Sequence, residues 1–293
     1  MKLKFASPTI GPGGTTKFCI DVASAMSIMK RRKYAQHRLW TITGGYIVDN
    51  STNATVTFSV APDNWLTRRA LHRCADQYFQ QQNDAFNAGS VNVKPRWHDY
   101  RVYLLKSQAD GSTQTLVNPD DSLGNDYPNG DWHYSKLYQT PNSGTNADEF
   151  TVHVVGDHAI LGGNKISYGA IQGWVDSRPQ VQREPIIDNA QEVLMQNDWL
   201  VQLRDAEHTY NEIIEDAQDE GDEPPYDRVN PPNETMDVAY AASQPGGSSI
   251  SYFPGFTALC GQIEVQVNGD AGGDVTIVLE VIPGGEWFDE DDV

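Results

Sequence analysis

Apolar and polar positions alternate along most of this chain, and the alternation mainly has a period of two. In KFCIDVASAM (17–26), Phe18, Ile20 and Val22 alternate with polar or small residues, which predicts a half-buried strand. LWTITGGYIV (39–48) and ATVTFSV (54–60) follow, separated by DNSTN, whose Asp, Asn and Ser favour a turn. Further strands are predicted at 100–106 (YRVYLLK), 132–139 (WHYSKLYQ), 150–155 (FTVHVV), 166–175 (ISYGAIQGWV) and 236–242. Near the end, FTALCGQIEVQV (256–267) and VTIVLEVI (275–282) flank NGDAGGD. β-Branched residues on either side of a Gly/Asn/Asp loop predict a hairpin there.

Two stretches change to the helical period. At 64–86, capped by Asp63 or Asn64, the residues Leu66, Ala70, Leu71, Cys74, Ala75, Tyr78, Phe79 and Phe86 form one apolar stripe. Arg68, Arg69 and Arg73 lie largely beside it. At 188–218 the stripe is Trp199, Leu203, Ala206, Tyr210, Ile213, Ile214 and Ala217, with acids over the rest. That helix runs into DEGDEPPYDRVNPP, whose prolines require a loop. Many strands with helices inserted in loops predict an all-β fold, one antiparallel sandwich. The expected organisation is a flexible N-terminal arm (1–16), one strand-rich domain (17–285) with helical insertions near 64–86 and 188–218, and an acidic tail (286–293).

Composition adds little until charge is resolved along the chain. The hydrophobic share of 39% is ordinary for a soluble protein, and no apolar run reaches the roughly 18–20 residues of a membrane span. Two lysines near the start are not followed by an apolar stretch, so no signal peptide is expected. Cys19, Cys74 and Cys260 sit among apolar neighbours, as small buried hydrophobes of a reducing compartment do. The net charge of −19 is unevenly distributed. Residues 1–106 carry 15 Lys/Arg against 6 Asp/Glu, and residues 107–293 carry 6 against 34. Such a split predicts surfaces facing different environments, or acidity serving solubility alone.

Candidate chemistry is sparse. Gly11–Lys17 (GPGGTTK) has Thr16 where a phosphate loop needs its second glycine, and a strand rather than a helix follows. His72 has Asp76 one helical turn on, and His153 and His158 flank Gly156-Asp157. No histidine has zinc-ligand spacing, and no G-x-S-x-G or H-E-x-x-H motif is present. A non-enzymatic protein with no catalytic residue and no bound cofactor is therefore expected. Three acidic clusters, Asp120-Asp121 with Asn125-Asp126, Asp216–Glu223 and Asp289–Asp292, read as solvated loops. Calcium held between subunits is the alternative for them. The sharpest cationic feature is Lys30, Arg31, Arg32 and Lys33, which Arg38, Arg68, Arg69 and Arg73 could join as a nucleic-acid-facing surface.

In its organisation the chain resembles the single jelly-roll capsid proteins of small icosahedral viruses, particularly those with circular single-stranded DNA genomes. The segments that carry the resemblance are KFCIDVASAM, LWTITGGYIV with ATVTFSV, the helix NWLTRRALHRCADQYF, and the closing FTALCGQIEVQV and VTIVLEVI. It implies two facing sheets in a jelly roll with helices in the connecting loops. It also implies self-assembly into a virion shell around a genome, after synthesis in the host cytoplasm. Many such proteins open with a long Arg/Lys-rich arm. Here only Lys2, Lys4 and Lys17 stand there, so a folded basic patch is the expected genome contact. Trp97, Trp132, Trp174 and Trp287 are candidate anchors between subunits. The rival readings are a jelly-roll carbohydrate-binding, lectin-like module and a hydrolase built on carboxylates brought together in space.

Overall fold

In the computed structural model of the chain, the described residues are 1–10, 14–49, 53–89, 97, 99–111, 115–121, 123–128, 130, 132–139, 148–161, 164–176, 236–245, 249–269 and 274–286. In chain order the elements begin with β1 (Lys2–Ala6), β2 (Gly14–Asp21), α1 (Val22–Lys30), β3 (Arg38–Asp49), β4 (Asn53–Val60) and α2 (Trp65–Ala88). Then come β5 (Tyr103–Leu105), α3 (Lys106–Ala109), β6 (Thr115–Leu116), β7 (Leu137–Gln139), β8 (Asp148–Val155), β9 (Ala159–Leu161), β10 (Asn164–Gly169) and α4 (Ala170–Asp176). The last four are β11 (Asp237–Pro245), β12 (Ser249–Leu259), β13 (Gln262–Gly269) and β14 (Val275–Glu286). The chain divides into a unit of Met1–Trp174 with Asn233–Val293 and a second unit, Val175–Pro232, that lies almost wholly outside the described residues. The predicted helix at 188–218 falls in that second unit, outside the described residues.

Two sheets of the first unit share one apolar cluster. One sheet has the order β1-β14-β3-β12, antiparallel throughout. The other has the order β11-β4-β13-β2-β6, antiparallel except for the short β2–β6 pair. The period-two pattern supplies the core: Phe18 and Ile20, Val56 and Phe58, Val265 and Val267, and Ile277 and Leu279 are all buried in one cluster. The pattern in β3 changes phase, with Trp40 and Ile42 buried and then Ile47, because the ladder shifts register beside Gly44 and Gly45. A Cβ at Gly45 would lie 2.0 Å from the Val278 carbonyl oxygen, so only glycine fits.

A third, smaller sheet rests on a second cluster. Its order is β5-β8-β10-β9, with β7 also on β8, and it contains parallel pairs, β5–β8 and β8–β10. The wholly antiparallel expectation is thus corrected for this sheet. Leu71, Ala75 and Tyr78 of α2, Leu104, Val152, Val154 and Ile171 of α4 fill the cluster, which reaches Leu259 and Cys260 at the end of β12.

Several sequence expectations change. The flexible arm is corrected for residues 1–10: β1 pairs with β14 over Lys2–Ala6, and Leu3, Phe5 and Ile10 are fully buried. The strand expected at 17–26 ends at Asp21, whose carboxylate accepts from the Ser24 amide (3.0 Å) and starts α1. The strand expected at 166–175 likewise becomes helix α4 after Gly169. Those expected at 100–106 and 132–139 shrink to β5 and β7.

The predicted closing hairpin does not form, since β13 and β14 belong to different sheets. FTALCGQIEVQV is two strands rather than one. They are divided at Cys260 and Gly261, both with positive φ (58° and 66°), and this turn carries the chain from one sheet to the other.

Candidate nucleic-acid interface

The eight basic residues singled out by sequence fall on three separate supports. Lys30 closes α1 and Arg31 follows in the left-handed conformation (φ 49°), so Lys30, Arg31, Arg32 and Lys33 crowd the C-terminal end of a helix. Ser27 shapes this end: its hydroxyl donates to the Ala23 carbonyl (2.7 Å) and accepts from the Tyr34 amide (3.0 Å). The Arg32 guanidinium carbon lies 5.8 Å from the Tyr34 ring centroid. A helix C-terminus carries partial negative charge, which cations neutralise and phosphates avoid. These four residues are therefore well explained as the complement of their own helix. Arg38 begins β3, half-buried, in register with Glu286 of β14.

The arginines of α2 have the opposite setting, in the opening turns where the dipole favours anions. Asn64 caps the helix, its side-chain oxygen accepting from the Thr67 amide (2.8 Å) and hydroxyl (3.1 Å). Arg68 makes a two-pronged ion pair with Asp63, Nε to Oδ1 at 2.7 Å and Nη2 to Oδ2 at 3.1 Å. Arg69 and Arg73 instead pack over tryptophans. The Arg69 guanidinium carbon is 5.8 Å from the Trp65 ring and that of Arg73 is 5.6 Å from the Trp174 ring. The two indoles meet edge to face, with centroids 6.1 Å apart. Trp65 is 46% exposed.

The structure thus joins Arg69 and Arg73 in one ladder with Trp65 and Trp174, and leaves Lys30–Lys33 and Arg38 on other elements. Trp65, one turn before Arg69, was legible from helical spacing. The Arg73–Trp174 contact was not, because α4 replaces an expected strand. Of the other expected tryptophan anchors, Trp97 is exposed, Trp132 lies under Arg101 (4.0 Å), and Trp287 is outside the described residues.

A second polar cluster is buried where the end of β2 and the residues before β3 meet the 99–105 segment. Asp21 Oδ2 accepts from Gln36 Nε2 (2.9 Å). The Gln36 amide also copies a strand partner: Nε2 donates to the Val102 carbonyl (3.0 Å), and Oε1 accepts from the Val102 amide (2.6 Å). The Gln262 side chain donates to the same carbonyl. Asp99 accepts from the Gln36 amide (3.3 Å) and lies 3.0 Å from His37 Nδ1, with Arg101 Nε at 3.8 Å. Burial pushes the Asp21 carboxyl up to about 6, against the lowering effect of its hydrogen bonds and of Arg101. The hydrogen-bonded partners lie 15 to 160 residues apart in sequence, so no local motif announces this clasp.

The remaining candidates have structural explanations. His153 accepts at Nδ1 from the Ser167 hydroxyl (2.8 Å) and donates from Nε2 to the Asp157 carbonyl (2.9 Å), tying β8 to β10. Burial pushes it down to about 4, so the ring is neutral. His158 Nδ1 accepts from the Gly169 amide (3.1 Å), and His72 pairs with Asp76 (2.8 Å) on the surface of α2. The Cys74 thiol is pushed up to about 11 by burial, and those of Cys19 and Cys260 are also raised. Asp121 accepts from the Leu123 and Asn125 amides (2.8 and 2.9 Å), and Asp120 pairs with Lys4 (3.2 Å). Both carboxylates therefore serve the local turn and β1. Among the described residues no three His, Cys, Asp or Glu groups are placed to hold a metal ion. The acidic clusters Asp216–Glu223 and Asp289–Asp292 lie outside the described residues. Among the described residues no helix is long and apolar enough to cross a membrane.

Comparison of the chain with protein-family models, with curated proteins and with solved structures finds no match.

Proposed function

We propose that this chain is a jelly-roll shell protein that assembles with copies of itself into an icosahedral virion around a nucleic-acid genome, without catalysis. The observation that carries this reading is the nesting of strand partners: β2 with β13, β3 with β12 and β4 with β11. Going out along β2, β3 and β4, and returning along β11, β12 and β13, the chain changes sheet at every step. A long antiparallel ribbon wrapped around one core would be connected in this way, and this supports the jelly-roll reading. In chain order α2 and the strands of the third sheet come between β4 and β11, as a large insertion would.

The outer surface offers material for contacts between copies. β12 presents Ile250 (56% exposed) and Tyr252 (77% exposed), the latter beside Tyr46 with ring centroids 6.1 Å apart. β11 adds Val238. Apolar groups on the edge strands of a sandwich are what an interface would bury. Electron microscopy and sedimentation of the purified chain test the reading, with closed particles of many copies expected. A strictly monomeric mass across salt, pH and calcium would overturn it, and glycan binding by such a monomer would favour the carbohydrate-binding alternative.

A further inference from the structure

We propose that the outer face of the β1-β14-β3-β12 sheet, centred on Tyr46 and Tyr252, is a two-fold contact between copies of this chain. The inference rests on the shell reading, which supplies the second copy, and names the surface through which two copies pair.

Strand alternation defines the face. Leu3 and Phe5, Ile277 and Leu279, Ile42 and Ile47, and Phe253 point into the core. Their neighbours along each strand point outward. The ladders set those neighbours in rows: Tyr252 lies opposite Tyr46, Tyr46 opposite Val278, and Ile250 opposite Val48. Tyr252 is 77% exposed, Ile250 56%, and Ile282 further along β14 is 53% exposed. Aromatic and aliphatic area thus lies on the outside of a sheet whose inner side is already filled.

Charge selects the occupant. The chain carries −19, so two copies repel each other in general. In the part of the sheet that runs from Thr41 to Val48 of β3, with the partners across β12, β14 and β1, the charged residues are Lys2, Lys4 and Glu280. Lys2 pairs with Glu280 (2.9 Å) and Lys4 with Asp120 (3.2 Å). The face is therefore neutral, and acidic copies can meet on it without like-charge repulsion. A basic protein or a nucleic acid is recognised by charge, which this face does not offer. A sugar ring stacks on a flat platform, whereas the Tyr46 and Tyr252 rings are tilted by 59° with centroids 6.1 Å apart. The same face of a second copy matches both its neutrality and its uneven relief, and a face that meets itself makes a closed two-fold pair.

The face extends about 25 Å along β3 and about 15 Å across four strands. That falls short of the roughly 800 Å² that each partner buries in a stable free-standing complex. The pair is therefore weak by itself and is reinforced where each copy is held by further neighbours.

The test is sedimentation equilibrium of the full chain over a wide concentration range, in low and high salt. Wild type should form dimers or larger species, and salt should strengthen the association, because it screens the acidic repulsion and leaves apolar contact intact. Ile250→Glu with Tyr252→Glu should weaken it by about tenfold or more at an unchanged melting temperature. Lys2→Glu sets a second acid beside Glu280 and should also weaken it, and adding Glu280→Lys should restore it. Ile160→Glu, on the third sheet, should change nothing. Association that survives Ile250→Glu with Tyr252→Glu, or that salt abolishes, overturns the inference and leaves the shell reading standing. Glycan-array binding by a monomer, lost in the same double variant, overturns it in favour of a sugar. A pair that never grows into particles upholds the inference and overturns the shell reading, whereas a wild type that stays monomeric throughout overturns both.

Discussion

Asp21 and His153 are buried ionisable groups whose environments pull the pH dependence of stability in opposite directions. Asp21 is raised to about 6, so the folded state holds its proton over a range where the unfolded chain has released it. Its contribution is present below the ordinary carboxylate range and is lost as pH rises through about 6, a change of about 3 kcal/mol. His153 is lowered to about 4, so its contribution is present above about 6.5 and is lost as pH falls through about 4, again by about 3 kcal/mol. In the wild type the two nearly cancel. Asp21→Asn, which keeps an oxygen for the Ser24 amide, should therefore gain stability relative to wild type as pH rises from 4 to 6.5. His153→Gln should lose it over the same range. Urea unfolding at several pH values reads both as differences from wild type, so the other carboxylates cancel. Slopes of the same sign in both variants would contradict the two burial assignments.

At the level of elements, β1 is a structural strand where an arm was expected. Leu3, Phe5 and Ile10 are fully buried in the shared core, and each is worth about 1.5–3 kcal/mol. Deleting residues 1–10 should remove an amount comparable with the whole stability of a domain, about 5–15 kcal/mol. The truncated chain should lose its cooperative thermal transition, whereas an arm merely tethered to the domain could be cut without loss. The turn between β12 and β13 gives a second test. Gly261 has φ 66°, and a Cβ there would come within 2.7 Å of the Trp40 ring. Gly261→Ala should cost about 2–4 kcal/mol, from a left-handed backbone and an overfilled core together. A calorimetric midpoint equal to wild type would show that the turn relaxes freely.

For the whole molecule, the assembly proposed above is expected to depend on the edge strands β11 and β12 rather than on the core. Ile250→Lys with Tyr252→Lys places two charges where an interface would exclude water, while neither side chain belongs to the buried cluster. The double variant should sediment as a smaller species than wild type at an unchanged melting temperature. Particles of normal size from this variant would move the contact surface elsewhere. The charge division reads differently once the fold is known. The described basic residues of the first third are spread over β1, β2, the end of α1 and the residues after it, β3, α2 and the segment from Arg101 to Lys106. If the chain faces a genome as proposed, that surface is a local patch.

The sequence by itself determined that the chain is built largely of strands, which of their residues point inward, and that a capped amphipathic helix begins at Trp65. These are local properties, because side-chain alternation and capping depend on neighbours within a few residues. Tertiary structure alone decided which strands pair. Phe256–Val267 and Val275–Ile282 carried every local mark of a hairpin, yet the Cys260-Gly261 turn moves the chain between sheets, and β13 and β14 lie in different sheets. An alternating strand can bury its inner face against many partners, and closure of the common core chooses among them. The same holds for the chemistry. The stack of Arg69 on Trp65 was within one helical turn, but Arg73 found Trp174 and Asp21 found Gln36 only because separate elements converged on shared apolar clusters.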